Sequence, residues 1–544
     1  MDEPRFHAFV EEMLRWQLEQ WPVAATYRGV HNYDHLLADL RLPAMEARYD
    51  RFKEILAELQ KTDPLAWSKE GRIDYTLINQ LLKGFILDHD HKAAHLRDPG
   101  LYIGEAMEGV FALIIKDFAP LEQRLRSLAG RVKEVPRVLA EGKSNLQPAR
   151  VPPVWVEVAL EQARMGPALF EGLLPAMAEN FPLLREELTG LGREATAACS
   201  DFAAYLERDV MPAAAGNFAV GEDYFNTLLR EQHLVDYDTT ALLERGWQLF
   251  DETRAAMEKL GRIIDPGRDV KEILERDNED HPAAGELLSA YKEAMEAAKS
   301  YVLEHDIATI PEGETLRVIE TPSFLRPLIP YAAYMPPGIF EEKMEGVFLV
   351  TPPGDNASPD EIEEKLKGHP FSAIPVTALH EAYPGHHLQL AWAARRGSIA
   401  RKMGMDLSTL FIEGWAFYCE ELMEELGYID TPMQRLSRLA GQLWRAARII
   451  LDVSLHCRGM SVAEAADFLV KECALQPGDA LAEVRRYTGS PTQPQSYLMG
   501  KMEIIKIIDE YKKRYPGASL RRMHDDILAC GSLPPKLLRV QLFE

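Results

Sequence analysis

The sequence predicts a mainly α fold carrying one small antiparallel β-sheet next to a histidine-bearing helical segment. Three observations lead there. Through most of the 544 residues apolar side chains recur three and four positions apart, with charges on the other faces. Over residues 314–352 that period gives way to short β-branched and aromatic runs broken by prolines. From residue 358 the helical period returns and holds to the end.

The elements follow in order. ARYDRFKEILAELQ (47–60), YTLINQLLKGFILDHDHKAAHL (75–96), ALLERGWQLFDETRAAMEKLGRIID (241–265) and LLSAYKEAMEAAKSYVLEH (287–305) each carry an apolar stripe. Proline opens helices, as in ARVPPVWVEVALEQARM (149–165), because a first-turn residue has no use for its N–H. Strands are expected at TLRVIE (315–320), IPYAAYM (329–335) and EGVFLVTP (345–352). SPDEIEEKLKGH (358–369) resumes the helical pattern. Length alone would allow about three or four domains, yet no repeat or low-complexity linker divides the chain. The provisional division is a helical N-terminal region, 1–310, and a C-terminal region, 311–544, with the sheet and the histidines. The two are read as one continuous structural unit.

A chain that is 47% hydrophobic, with mean hydropathy -0.22, has ample material for a large core. Its net charge of -24 and pI of 5.2 argue against a nucleic-acid partner or an anionic membrane surface, where a basic face would be expected. Five cysteines (Cys199, Cys419, Cys457, Cys473, Cys530) lie far apart and form no CxxC, the pattern of reduced thiols. The N-terminal stretch is amphipathic and acidic, unlike a signal peptide, and the longest apolar runs are too short to span a bilayer. A cytoplasmic location is therefore expected, with no membrane or nucleic-acid partner. Monomer and homodimer are both compatible with the sequence.

The chemistry concentrates at HEAYPGHH, residues 380–387. In H-E-x-x-H, two histidines four apart on a helix grip one zinc ion and the glutamate serves as base. Here the fourth residue after His380 is Pro384. On a regular helix His386 would lie about 240° round from His380, and His387 would face the same way but roughly 10 Å along the axis. The helix cannot be regular, because Pro384 has no N–H for the carbonyl of His380 and its ring collides with that carbonyl. A bulge that loops out two residues would put His386 in the i+4 slot; three would put His387 there. The smaller distortion favours His386, leaving His387 as a supporting or substrate-facing group. The competing reading is a helix end with incidental histidines.

A site with two histidines needs a third protein ligand and an open position. Glu413, in LFIEGWAFYCEELMEELG, has apolar neighbours all round and stands beside Gly414, which permits close helix approach. Glu420, seven later, shares its face and could orient a histidine. Arg445, Arg448, Asp452 and His456 form a stripe that fits either a solvated surface or a polar cleft. Tyr497 follows a Pro/Gln/Ser loop, where a tyrosine can donate to an oxyanion or simply pack. His89, His91 and His95 form a lesser cluster, with His91 and His95 four apart in a charged segment that reads as exposed.

The motifs HEAYPGHHLQ, EGWAFYCEEL, LWRAARIILDVSLHCRGMS and RRYTGSPTQPQSYLMGK, with YAAYMPP before them, resemble a bacterial family known as domain of unknown function 885, grouped with zinc peptidases. The resemblance spans almost the whole chain. It departs at Pro494, where alanine is usual, at Val453-Ser454 in place of Thr-Gly, and at Met460 in place of tryptophan. It implies a large helical zincin-like metallopeptidase fold of the gluzincin type, with one Zn²⁺ per chain held by His380, His386 and Glu413. Gly385-His386 is similar to the Gly-His that closes the first motif in several zinc peptidases. EGWAFY is similar to the Glu-Gly-Phe-Ala segment of zinc aminopeptidases. The implied activity is hydrolysis of short peptides, with Glu381 as base and Tyr497 as oxyanion donor. Arg445, Arg448, Arg486 and His456 are then candidates for a peptide terminus. The rivals are a non-catalytic peptide-binding protein with the same fold and, since two histidines and a carboxylate also suit Fe(II), a non-haem iron enzyme.

Overall fold

The computed structural model describes residues 1–322, 326, 329, 331–354, 357–405 and 407–544. They group into two units: Met1–Val220 with Gly338–Glu342, and Gly221–Pro337 with Lys343–Glu544. The division at 310/311 drawn from sequence lies inside the second unit.

The first unit is helical. Its longest helix, Leu121–Asn145, buries Leu125, Leu128, Val132, Val135, Val138 and Leu139 along one stripe, as a 3.6-residue period dictates. Arg131 on that helix is fully buried. It is satisfied by the carbonyls of Leu36 and Pro22 and by the Thr26 hydroxyl. The 75–96 segment is not one helix. Lys69–Lys92 ends at Ala93, in the left-handed region at φ 44°, and a short helix, Ala94–Arg97, follows.

The second unit holds the sheet. Strands β1 (Glu314–Glu320), β2 (Ala332–Met335) and β3 (Met344–Val350) lie in the order β1-β3-β2. The sheet is mixed, which corrects the antiparallel expectation: β3 runs antiparallel to β2 but parallel to β1, in the register Glu314↔Met344 to Glu320↔Val350. β3 is central and its apolar run is buried on both faces, whereas β2 is a half-buried edge strand. The expected strand 329–335 reaches Pro330, which lies outside the described residues. Helix Leu287–Glu304 packs against β1.

Five further helices frame the histidines: Ile374–Glu381, His386–Arg395, Leu410–Glu425, Pro432–Cys457 and Ser496–Arg514. Leu410–Glu425 is buried nearly all round and meets Ser496–Arg514 through two glycines. A Cβ on Gly500 would stand 2.0 Å from the Leu410 carbonyl oxygen, and one on Gly414 would stand 2.3 Å from the Gly500 carbonyl carbon. Only hydrogen at both positions lets these backbones touch.

Candidate metal centre

The helix that carries His380 stops one residue later. Glu381 ends Ile374–Glu381, Ala382 to Gly385 turn, and His386 opens the next helix. This is a break between two helices and not a bulge within one. Its hydrogen bonds show how many residues are looped out. Gly385 N–H donates to Leu379 O at 3.1 Å and Leu388 N–H to Ala382 O at 3.3 Å, each spanning six residues. A helix spans four, so two residues are extra and His386 falls in the i+4 slot. Gly385 is required there, since a Cβ would lie 1.9 Å from the His380 carbonyl oxygen. The break is held from outside: Trp415 Nε1 donates to the Pro384 carbonyl at 2.9 Å, and Cys419 Sγ approaches the same oxygen at 3.5 Å.

The result is a convergence. Ligand atoms of His380, His386 and Glu413, from three helices, lie within 4.8 Å of one another. The two imidazole rings stand 4.7 Å apart, nearly perpendicular. His386 Nε2 is 3.4 Å from Glu413 Oε2. His380 Nδ1 bonds Glu420 Oε1 at 2.8 Å, which leaves Nε2 to face the group. His386 Nδ1 and Glu413 Oε2 are buried without hydrogen-bond partners among the described residues. Burial pushes the Glu413 carboxyl up, but His386, His380 and Arg448 outweigh it and hold the group at about 2. Burial pushes His386 down, yet the nearby Glu413 carboxylate and the charges of Glu381 and Glu420 raise it overall. Glu381 itself is half-buried.

His387 turns away from this group. It is fully buried and bonded through Nε2 to Glu314, with Nδ1 2.9 Å from the Tyr334 hydroxyl. Tyr383 donates to Glu314 at 2.6 Å and Lys299 at 2.9 Å. A Cβ on Gly346 would lie 2.6 Å from His387 Nδ1, so that glycine makes the room. Sequence reasoning missed Glu314, Lys299, Tyr334 and Tyr383. Two had a signal, since Tyr334 lies in YAAYMPP and Tyr383 in HEAYPGHH.

Tyr497 is half-buried, its ring 4.5 Å from the Arg448 guanidinium and 5.8 Å from that of Arg445. Burial and the charge of Glu413 raise its pKa, so it keeps its proton. Arg486 is exposed and donates to Glu483 and Gln493. Asp452 and His456 do not reach the group. Both are fully buried: Asp452 accepts from the Thr492 N–H at 3.3 Å and His456 Nε2 bonds the Tyr487 carbonyl at 3.0 Å. Asp452 holds the loop before Tyr497 and His456 the helix that leads into it, and neither has surface to offer a substrate. The helix end at Ala93 also breaks the four-residue relation of His91 and His95. The group formed there is Glu46, His89 and His95, with His95 buried where exposure was expected.

The profile of a bacterial family described as "Bacterial protein of unknown function (DUF885)" matches residues 22–542. No curated protein matches. Two solved structures are similar over nearly their whole length. One, described as a putative lipoprotein of unknown function from Shewanella oneidensis, has a TM-score of 0.79 at 23% identity, over 98% of this chain and 99% of its own. The other, described as a putative lipoprotein from Colwellia psychrerythraea, has a TM-score of 0.85 at 15% identity, over 100% and 99%.

Proposed function

The chain belongs to the bacterial family of unknown function DUF885, and from that premise we propose that it is a zinc-dependent peptidase of zincin-like fold, acting on short peptides. The convergence of His380, His386 and Glu413, with His380 turned by Glu420, carries the proposal. Zinc fits this donor set. Two imidazoles and a carboxylate with an open fourth position are catalytic zinc ligands, and two of the ligating groups, His386 and Glu413, have a buried atom without a hydrogen-bond partner among the described residues. When bound, zinc supplies a Lewis acid and lowers the pKa of a water towards ~7.

The chain's own residues do the rest. Glu381 follows His380 directly, and its charge bears on His386 and Tyr334. It takes a proton from the attacking water and returns it to the leaving amine. Tyr497, kept protonated, donates to the oxyanion of the scissile carbonyl. Glu420 fixes the tautomer of His380. A peptide-binding protein or a non-haem iron enzyme would have no task for Glu381.

Cytoplasmic location is proposed on the five free cysteines. Among the described residues no helix is long and apolar enough to cross a membrane. The neighbours' descriptions make a lipoprotein the second reading, and cell fractionation decides between them.

Glu381→Gln tests the reaction. Cleavage of a short-peptide library should fall by about 10²–10⁴-fold, with zinc content unchanged. Undiminished cleavage would remove Glu381 from the chemistry.

A further inference from the structure

Beside the metal group lies a cationic cluster with too few anions. Arg445 and Arg448 stand on Pro432–Cys457 and Arg486 on the helix Pro477–Gly489. Glu483 is the carboxylate that pairs with two of them, and its Oε2 is fully engaged. It receives Arg448 Nη2 at 2.9 Å, Arg486 Nη2 at 3.0 Å and the Tyr487 hydroxyl at 2.8 Å. Two guanidinium edges remain. Arg448 is buried, and its Nη1 has no partner. Arg445 makes no ion pair among the described residues. Its Nε is buried without a partner, and its Nη1 reaches only the Gly441 carbonyl at 3.3 Å.

Aromatic rings hold Arg445 in place. Its guanidinium lies 5.3 Å from the Phe417 and Trp444 rings and 5.8 Å from that of Tyr497. Phe417 is one turn beyond Glu413 on the same helix, so this cation stands next to the metal group. Burying a guanidinium without a counter-ion is costly, and its planar fork matches a carboxylate. Arg445 and Tyr497 are only half-buried, so a ligand can reach them.

We infer that the substrate ends in a free carboxylate, received by Arg445 together with Nη1 of Arg448, so that the protein trims peptides from the carboxyl end. The inference rests on the proposed peptidase reading. Tyr497, which that reading sets at the scissile carbonyl, has its ring 4.5 Å from the Arg448 guanidinium and 5.8 Å from that of Arg445. The anion is therefore held close to the bond that is cut, on the carboxyl side. An acidic side chain offers the same chemistry, and the test separates the two.

Calorimetry on zinc-loaded Glu381→Gln protein would compare N-acetyl-trialanine, its C-terminal amide, and an amidated peptide with a central aspartate. The free acid should bind about ten- to a hundredfold tighter than either amide, the worth of charge-assisted hydrogen bonds. Arg445→Ala should erase that preference and Arg445→Lys restore part of it, with circular dichroism and zinc content unchanged. In the Glu381 protein, Arg445→Ala should raise KM for the free acid with little change in kcat, since the contact is made before and during the reaction. Equal binding of acid and amide overturns the inference, as does an acid preference that survives Arg445→Ala or tight binding of the aspartate amide alone. Absence of hydrolysis with the acid preference intact would count against the proposed reaction and not against the subsite.

Discussion

His387 stands one position beyond His386 and does different work. An ionised Glu314 can only accept, so Nε2 of His387 carries the proton and Nδ1 accepts from Tyr334. Burial raises the Glu314 carboxyl, but hydrogen bonds from His387, Tyr383 and Lys299 outweigh it and hold the group at about 2, below its ordinary 4.5. A depressed carboxylate adds stability above its unfolded value and loses it as pH falls through its folded one. Glu314→Gln should therefore cost about 1–3 kcal/mol at neutral pH, the penalty of leaving buried partners unmatched. The gap between variant and wild type should close as pH drops from 4.5 towards 2. Denaturant unfolding across that window checks it; a gap independent of pH would mean that Glu314 is not ionised in the fold. His387→Ala should behave as a stability variant that keeps its metal, whereas His386→Ala should lose it.

At the scale of elements, the contact between Leu410–Glu425 and Ser496–Arg514 brings the charge of Glu413 to bear on Tyr497. Gly500→Ala would drive a methyl into the Leu410 carbonyl, a backbone atom that cannot turn aside. Overpacking of this kind costs about 1–3 kcal/mol. The variant should melt lower and, by separating Tyr497 from Glu413, lose activity beyond the loss in folded fraction; wild-type melting would show that the helices can part freely. Much of this level was legible in the sequence. Apolar periodicity outlined the helices, and Pro384-Gly385 announced an irregularity, though not whether two residues or three were extra. Strand direction was not legible, because residue preference in a strand does not encode its neighbour. β3 inserts between β1 and β2, so strands consecutive in sequence are not the ones that pair throughout. Nor was Glu314 legible. It opened a strand and stood 73 residues from the histidine it serves.

At the scale of the molecule, His380, His386 and Glu413 all belong to the unit Gly221–Pro337 with Lys343–Glu544. Three helices meet at one group of ligands there, so an ion that binds only the folded form should stabilise that unit. At a free concentration of 100 Kd the gain is about 2.7 kcal/mol. Chelation should lower the melting of this unit by several degrees and weaken hydrogen-exchange protection in the helices that carry His380, His386 and Glu413. Unchanged protection in those helices would mean that the metal acts elsewhere.

The most direct test of the central claim is elemental analysis of wild-type and His386→Ala protein purified without added metal. About one zinc per chain in wild type, absent from the variant, is the result expected of a single three-ligand centre. Iron in place of zinc, or no metal even after zinc is supplied, would contradict it.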